Sequence, residues 1–210
     1  MIFEDISAAL QKGNRKLVSE LVQKALDEGS TAGDILDKGL LAGMSIIGEK
    51  FKNNEVYVPE VLIAARAMTA GSEILKPHLA TEGVTSVGKV VLGTIKGDLH
   101  DIGKNLVRMM MEGKGLEVVD LGVDVTPERF VEAAVEEGAQ IIACSALLTT
   151  TMVEMKNVVD VAKAKGVRDS FKIMVGGAPV TDAFCAEIGA DFYTSDAASA
   201  ADVAAKACIA

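Results

Sequence analysis

Two histidines occur in 210 residues, and His100 stands in the glycine-bordered stretch GTIKGDLHDIGKN, residues 93–105, with Asp98 and Asp101 on either side. Neutral imidazole is the commonest metal-binding side chain, and its second nitrogen usually donates to a carboxylate. Asp98, two residues upstream, suits that orienting role. No second histidine or cysteine lies nearby, whereas zinc asks for three or four protein ligands. A lone histidine therefore matches a metal that arrives inside a macrocycle, either haem or a corrinoid cobalt. The plainer alternative is a surface histidine in a loop whose aspartates cap the next helix.

Other residues converge on this stretch. Gly93, Gly97 and Gly103 border it, and Gly176 and Gly177 end the later apolar run FKIMVGG. Glycine lets a backbone approach a ligand closely. The run CSALLTTTM places Ser145, Thr149, Thr150 and Thr151 just after apolar residues, where hydroxyls can meet a buried polar ligand.

The elements that must position these residues change character along the chain. Residues 1–86 carry only helical periodicity: EDISAALQKG, NRKLVSELVQKALDEGS, TAGDILDKGLLAGMSIIGEKFKN and PEVLIAARAMTAGSEILKPH. Glycines close the first two, a capping threonine opens the third, and Pro59 suits the first turn of the fourth. Four helices with short connections predict a small antiparallel bundle. LATEGVTSVG, residues 79–88, reads as a short linker. Residues 87–210 alternate Val/Ile-rich strands (KVVLGTI, LEVVDLG, AQIIACS, FKIMVGG, ADFYTS) with five helical runs. That alternation predicts a five-stranded parallel sheet of flavodoxin-like, Rossmann-type order with flanking helices. Such sheets bind ligands beyond the carboxyl ends of their strands, beside strand one, where His100 falls.

Composition removes several function classes. The formal net charge of −9 opposes sequence-independent nucleic-acid binding, and with 4% aromatics and no tryptophan there is no stacking platform for bases. No apolar run reaches the length of a membrane span, and the first residues lack the order of a signal peptide. Cys144, Cys185 and Cys208 lie far apart without a CxxC, as expected of reduced thiols in a cytoplasmic protein.

Asp98-Leu-His100-Asp-Ile-Gly103 matches the DxHxxG signature of cobalamin-binding domains. Ser145-Ala-Leu147-Leu-Thr149 matches their SxLxT motif, and Gly176–Gly177 their glycine pair. The chain thus resembles the corrinoid methyl-carrier proteins of anaerobic methyltransferase systems and the cobalamin-binding module of cobalamin-dependent methionine synthase. GMSIIGEKFKNNEVYVPEVLIAARAM looks like the helical cap of that family, so the resemblance spans nearly the whole chain.

The resemblance implies a cobalamin or other benzimidazolyl cobamide bound with its own base displaced and His100 as the axial cobalt ligand. Asp98 would orient the imidazole, and Thr151 would complete a His–Asp–hydroxyl chain where methionine synthase typically carries serine. Gly97, Asp101, Ile102, Gly103, Ser145, Leu147, Thr149, Gly176 and Gly177 would line the path of the displaced nucleotide. Phe51, Val58 and Val61 of the cap would shield the cofactor's upper face; all three suit a bundle core equally well.

The implied role is that of a methyl carrier serving a multi-protein system rather than a complete enzyme. Its partners would be a substrate-specific methyltransferase, an acceptor methyltransferase (tetrahydrofolate or a thiol) and a reductive activator, with methylamine, methanol or an aryl methyl ether as donor. A cobalamin-dependent sensor and a mutase-type corrinoid subunit are the alternatives. A phosphorelay receiver is disfavoured because strand three ends in ACSALLTTT, without an aspartate.

Overall fold

The computed structural model describes residues 1–209 and divides into two compact units, residues 1–86 with 113–115, and residues 87–112 with 116 onward. The first unit is helical: α1 (Ile2–Gln11), α2 (Arg15–Asp27), the single turn α3 (Ala32–Asp34) continuing into a π-helical segment (Ile35–Leu41), α4 (Ala42–Lys52) and α5 (Val58–Glu82). The third predicted helix therefore exists as one run of three segments, α-helical, π-helical and α-helical again. Ile6, Leu10, Val18, Val22, Ile35, Leu40, Ile47, Val61 and Leu75 are buried and form the apolar interior expected from their helical spacing.

The linker begins later than the sequence suggests. α5 continues through Pro77 to Glu82, so residues 79–82 are helical. The proline removes one backbone donor, and the helix survives it. The Thr81 hydroxyl donates to the Pro77 carbonyl at 2.9 Å. The Glu82 carboxylate accepts the Ala32 and Gly33 amides at 2.8 and 3.0 Å, capping α3 and tying the last turn of α5 down.

The second unit alternates β1 (Gly88–Thr94), α6 (Ile102–Glu112), β2 (Leu116–Asp120), α7 (Pro127–Glu137), β3 (Ile141–Ser145), α8 (Val153–Ala164), a 3₁₀ turn (Arg168–Ser170), β4 (Lys172–Gly176), α9 (Asp182–Ile188), β5 (Phe192–Tyr193) and α10 (Ala197–Ile209). Thr126, Thr181 and Asp196 cap α7, α9 and α10 by accepting backbone amides. The strands are all parallel in the order β2-β1-β3-β4-β5, the flavodoxin-like arrangement. β1 is buried along nearly its whole length, as a central parallel strand covered on both faces must be. β5 keeps only two residues of the run ADFYTS, pairing Phe192 with Met174 and Tyr193 with Val175 at the sheet edge.

Strand register aligns the loops that carry the motifs. Thr94 pairs with Ser145, and Ser145 with Gly176. The carboxyl ends of β1, β3 and β4 are therefore level, and the loops carrying the three sequence motifs leave the sheet side by side. Among the described residues no helix is long and apolar enough to cross a membrane.

Candidate functional site

Asp98 is the hub of the site. It is fully buried, and its carboxylate accepts four hydrogen bonds. One oxygen takes the His100 amide at 3.0 Å and the His100 Nδ1 at 2.7 Å. The other takes the backbone amides of Leu147 and Leu148 at 2.7 and 3.2 Å, across from the loop that follows β3. Burial pushes this carboxyl's pKa up. The Leu147 and His100 amides, the imidazole and the Leu148 amide together outweigh burial and bring it from 3.8 down to about 2. Asp98 is therefore ionised at neutral pH and can only accept.

An ionised acceptor at 2.7 Å requires the proton on His100 Nδ1. The neutral imidazole then carries a free lone pair on Nε2. The ring is half exposed, so that nitrogen is available to a ligand. The loop is held from behind as well: the buried Thr94 hydroxyl, at the last residue of β1, donates to the His100 carbonyl at 2.8 Å.

The surroundings are apolar. Leu99 and Ile102, on either side of His100, are 71% and 77% exposed, and Leu147 and Leu148 are also exposed. Four large aliphatic side chains left to solvent beside one oriented imidazole are costly unless something covers them. Among the described residues no group of three or more His, Cys, Asp or Glu side chains can hold a metal ion. A metal that brings its own equatorial ligands in a broad apolar ring fits this donor set; a bare ion does not.

The floor of the site depends on one glycine. Gly177 has φ +128°, and a Cβ there would lie 1.8 Å from the Ala146 carbonyl oxygen. Only glycine lets the β4 loop cross the β3 loop so closely, and the Ala146 amide bonds the Gly176 carbonyl at 3.1 Å at the same crossing. Gly103 and Gly176 have more room: nothing lies within 4 Å of a Cβ at the first, and only the Thr194 carbonyl at the second.

The expected residues of the α/β unit come together at this edge. Gly97, Asp98, His100, Asp101, Ile102 and Gly103 form one loop and helix start. Ser145, Leu147 and Thr149 leave β3 beside it. Asp101 serves the start of α6, its carboxylate accepting the Asn105 side-chain amide at 3.1 Å. The Thr151 hydroxyl donates to the Leu148 carbonyl at 2.9 Å, while the second Asp98 oxygen accepts the Leu147 and Leu148 amides. Among the residues expected to shield the upper face, Val61 is fully buried, whereas Phe51 and Val58 are half-buried.

Three further residues shape the site. Thr94 is one. Lys104, on the first turn of α6, is buried, with its ammonium on both Asp120 oxygens at 2.6 and 2.5 Å. This pair ties α6 to the end of β2. Asp124 accepts the Gly97 amide at 2.7 Å. In sequence Thr94 reads as strand end and Asp124 as loop, and only register shows what they face.

The comparisons with known proteins agree with this geometry. Two family models, each described as a B12 binding domain, match residues 88–204 and 2–76. A corrinoid protein of Desulfitobacterium hafniense is 42% identical over 208 residues, covering 98% of this chain and 96% of that protein. Trimethylamine corrinoid protein 1 of Methanosarcina acetivorans is 44% identical, covering 94% and 91%. Among solved structures, a cobalamin-binding protein from D. hafniense superimposes with TM-score 0.81 at 31% identity, covering 98% of each chain. The methanol:cobalamin methyltransferase complex of Methanosarcina barkeri contains a chain that matches with TM-score 0.88 at 31% identity, covering 99% of this chain and 79% of that one. With an imidazole presented alone among aliphatic side chains, and with relatives matched along almost its full length, this chain belongs to the B12-binding corrinoid protein family.

Proposed function

We propose that this protein is a cytoplasmic methyl carrier, holding a cobamide with His100 as axial ligand and serving a methylamine-specific methyltransferase on one side and an acceptor methyltransferase on the other. A bound corrinoid supplies a cobalt centre that accepts and releases a methyl group. The chain's own residues supply the rest. Asp98 fixes the His100 tautomer so that Nε2 faces outward as a ligand. Leu99, Ile102, Leu147 and Leu148 give an apolar ring a surface that water does not favour.

The observation that carries this reading is the single oriented imidazole with a free Nε2. The donor class rests on the relatives: proteins named for tri-, di- and monomethylamine are 40–45% identical, and among solved structures a monomethylamine corrinoid protein is 40% identical against 31% for the chain of the methanol complex. The acceptor would be tetrahydrofolate or a thiol, and a reductive activator would restore the reduced metal. Burial raises the pKa of the Cys144, Cys185 and Cys208 thiols, which disfavours the thiolate form. Phe51 and Val58 remain the proposed shield of the upper face.

The test is anaerobic reconstitution with cobalamin of wild type and His100→Ala, followed by absorption spectroscopy and methyl transfer from a donor panel. The wild type should show histidine ligation and accept methyl groups from a methylamine system. His100→Ala should lose the histidine-ligated spectrum. An unchanged spectrum in the variant ends the axial assignment, and transfer from methanol alone ends the donor assignment.

A further inference from the structure

We infer that Asp124 is a positioning residue for His100, acting through the Asp98 backbone; the inference rests on the axial-ligand reading above and adds a residue to it. Asp124 lies in the loop between β2 and α7 and grips the His100 loop at two points. Its carboxylate accepts the Gly97 amide at 2.7 Å, and its own amide donates to the Asp98 carbonyl at 3.1 Å. One bond holds the residue before Asp98 and the other holds the Asp98 carbonyl itself.

The backbone of Asp124 points the same way. Its φ is +54°, in the left-handed region, and among the described residues only Asn54 shares that feature without being glycine. Glycine would adopt this conformation without strain but would bring no acceptor for the Gly97 amide. Aspartate tolerates the left-handed region better than most residues and brings an acceptor. The neighbouring chain holds it in place: the Thr94 amide bonds the Gly122 carbonyl at 2.9 Å, the Val125 amide bonds the Thr94 carbonyl at 3.0 Å, and Ile95 bridges to Val125.

Asp98 is therefore held from two sides. The β3 loop holds its carboxylate through the Leu147 and Leu148 amides, and the β2 loop holds its backbone through Asp124. An imidazole bonded to Asp98 at 2.7 Å inherits that placement. Slack in the Asp124 clamp would let Asp98 turn and would free the His100 ring.

The test uses the full-length protein without cofactor and reads the His100 tautomer by nitrogen-15 NMR, above the pH at which the ring titrates. Wild type should hold the proton on Nδ1. Asp124→Gly keeps the backbone conformation and removes the acceptor; it should shift the ring toward the Nε2-protonated form that dominates in free histidine. Asp124→Asn keeps an acceptor and a left-handed residue, and should retain the wild-type tautomer. A wild-type tautomer in Asp124→Gly overturns the inference, as does its loss in Asp124→Asn.

A measurement on the wild type alone keeps the inference falsifiable if the glycine variant does not fold. The Gly97 amide, although in an exposed loop, should exchange about tenfold or more slowly than an unbonded loop amide. Exchange at the free-amide rate overturns the clamp. These readouts need no cobalt, so they separate from the axial assignment. If His100→Ala keeps a histidine-ligated spectrum while the Asp124 results hold, the axial reading falls and the clamp stands.

Discussion

Asp98 is fixed by four hydrogen bonds, from three backbone amides and one ring nitrogen, while Phe51, Val58 and Val61 of the helical unit, being apolar, are held by packing alone. The sheet edge thus specifies direction: each donor reaches one oxygen at one angle, and the imidazole follows. Packing specifies only volume, and a side chain placed by volume has no preferred direction beyond its rotamer. Direction is thus specified at the sheet edge, and volume in the helical unit. The two units also differ in what a substitution should do. At the sheet edge small changes should alter chemistry, whereas in the bundle they should mainly alter stability.

The largest expected effect is at Gly177. A methyl group there meets the Ala146 carbonyl at 1.8 Å in a backbone region that suits glycine alone, so Gly177→Ala should cost about 3 kcal/mol or more in urea unfolding. Gly103→Ala is the control. Nothing lies within 4 Å of the added carbon, and a helical alanine should be neutral or stabilising by about 0.5 kcal/mol. If Gly103→Ala weakens cobalamin binding by about tenfold while leaving stability intact, the open space is reserved for the cofactor. Equal stability losses for the two glycines would break the contrast.

In the bundle, Val61→Ala should cost about 2 kcal/mol for a fully buried side chain. It should leave the photolysis rate of the reconstituted methyl form unchanged. Phe51→Ala should do the reverse, with a smaller stability loss and faster photolysis. Faster photolysis in Val61→Ala would restore that residue to the shield.

Asp98 contributes comparably, but in a pH-dependent way. Its folded pKa is depressed from 3.8 to about 2, so its contribution to stability is present above the unfolded value and is lost as pH falls through the folded one. Roughly 2 kcal/mol should disappear between about pH 5 and pH 2 in the cofactor-free protein, and Asp98→Asn should lack that component. A parallel pH profile for both proteins would mean the four hydrogen bonds do not stabilise the charge.

The smallest effect is expected at Thr151. Its hydroxyl serves the Leu148 carbonyl, so Thr151→Val should cost about 1 kcal/mol or less and leave histidine ligation unchanged. A changed ligation spectrum would put Thr151 back in the chain with Asp98.

Much of the fold and site was legible in the residues, for identifiable reasons. The βα alternation and the DxHxxG, SxLxT and glycine-pair motifs are short-range patterns written in consecutive residues. The roles of Thr94, Lys104 and Asp124 are not, because each acts on a residue brought near by strand register: Thr94 on His100, Lys104 on Asp120, Asp124 on Gly97. Val61 and Phe51 both read as core or shield, since helical periodicity marks a buried face without saying which residues at its margin stay open.

By itself the sequence determined which groups are available: one imidazole with a carboxylate two residues away, three motifs in order, and an apolar βα framework. Local chemistry and periodicity suffice for that, because they depend on neighbours in the chain. Only the tertiary structure decided that the second Asp98 oxygen belongs to the Leu147 and Leu148 amides rather than to Thr151, and that Val61 lies inside. Hydrogen-bond partners forty-nine and fifty residues apart are chosen by the register of parallel strands, which is set by packing across the whole sheet.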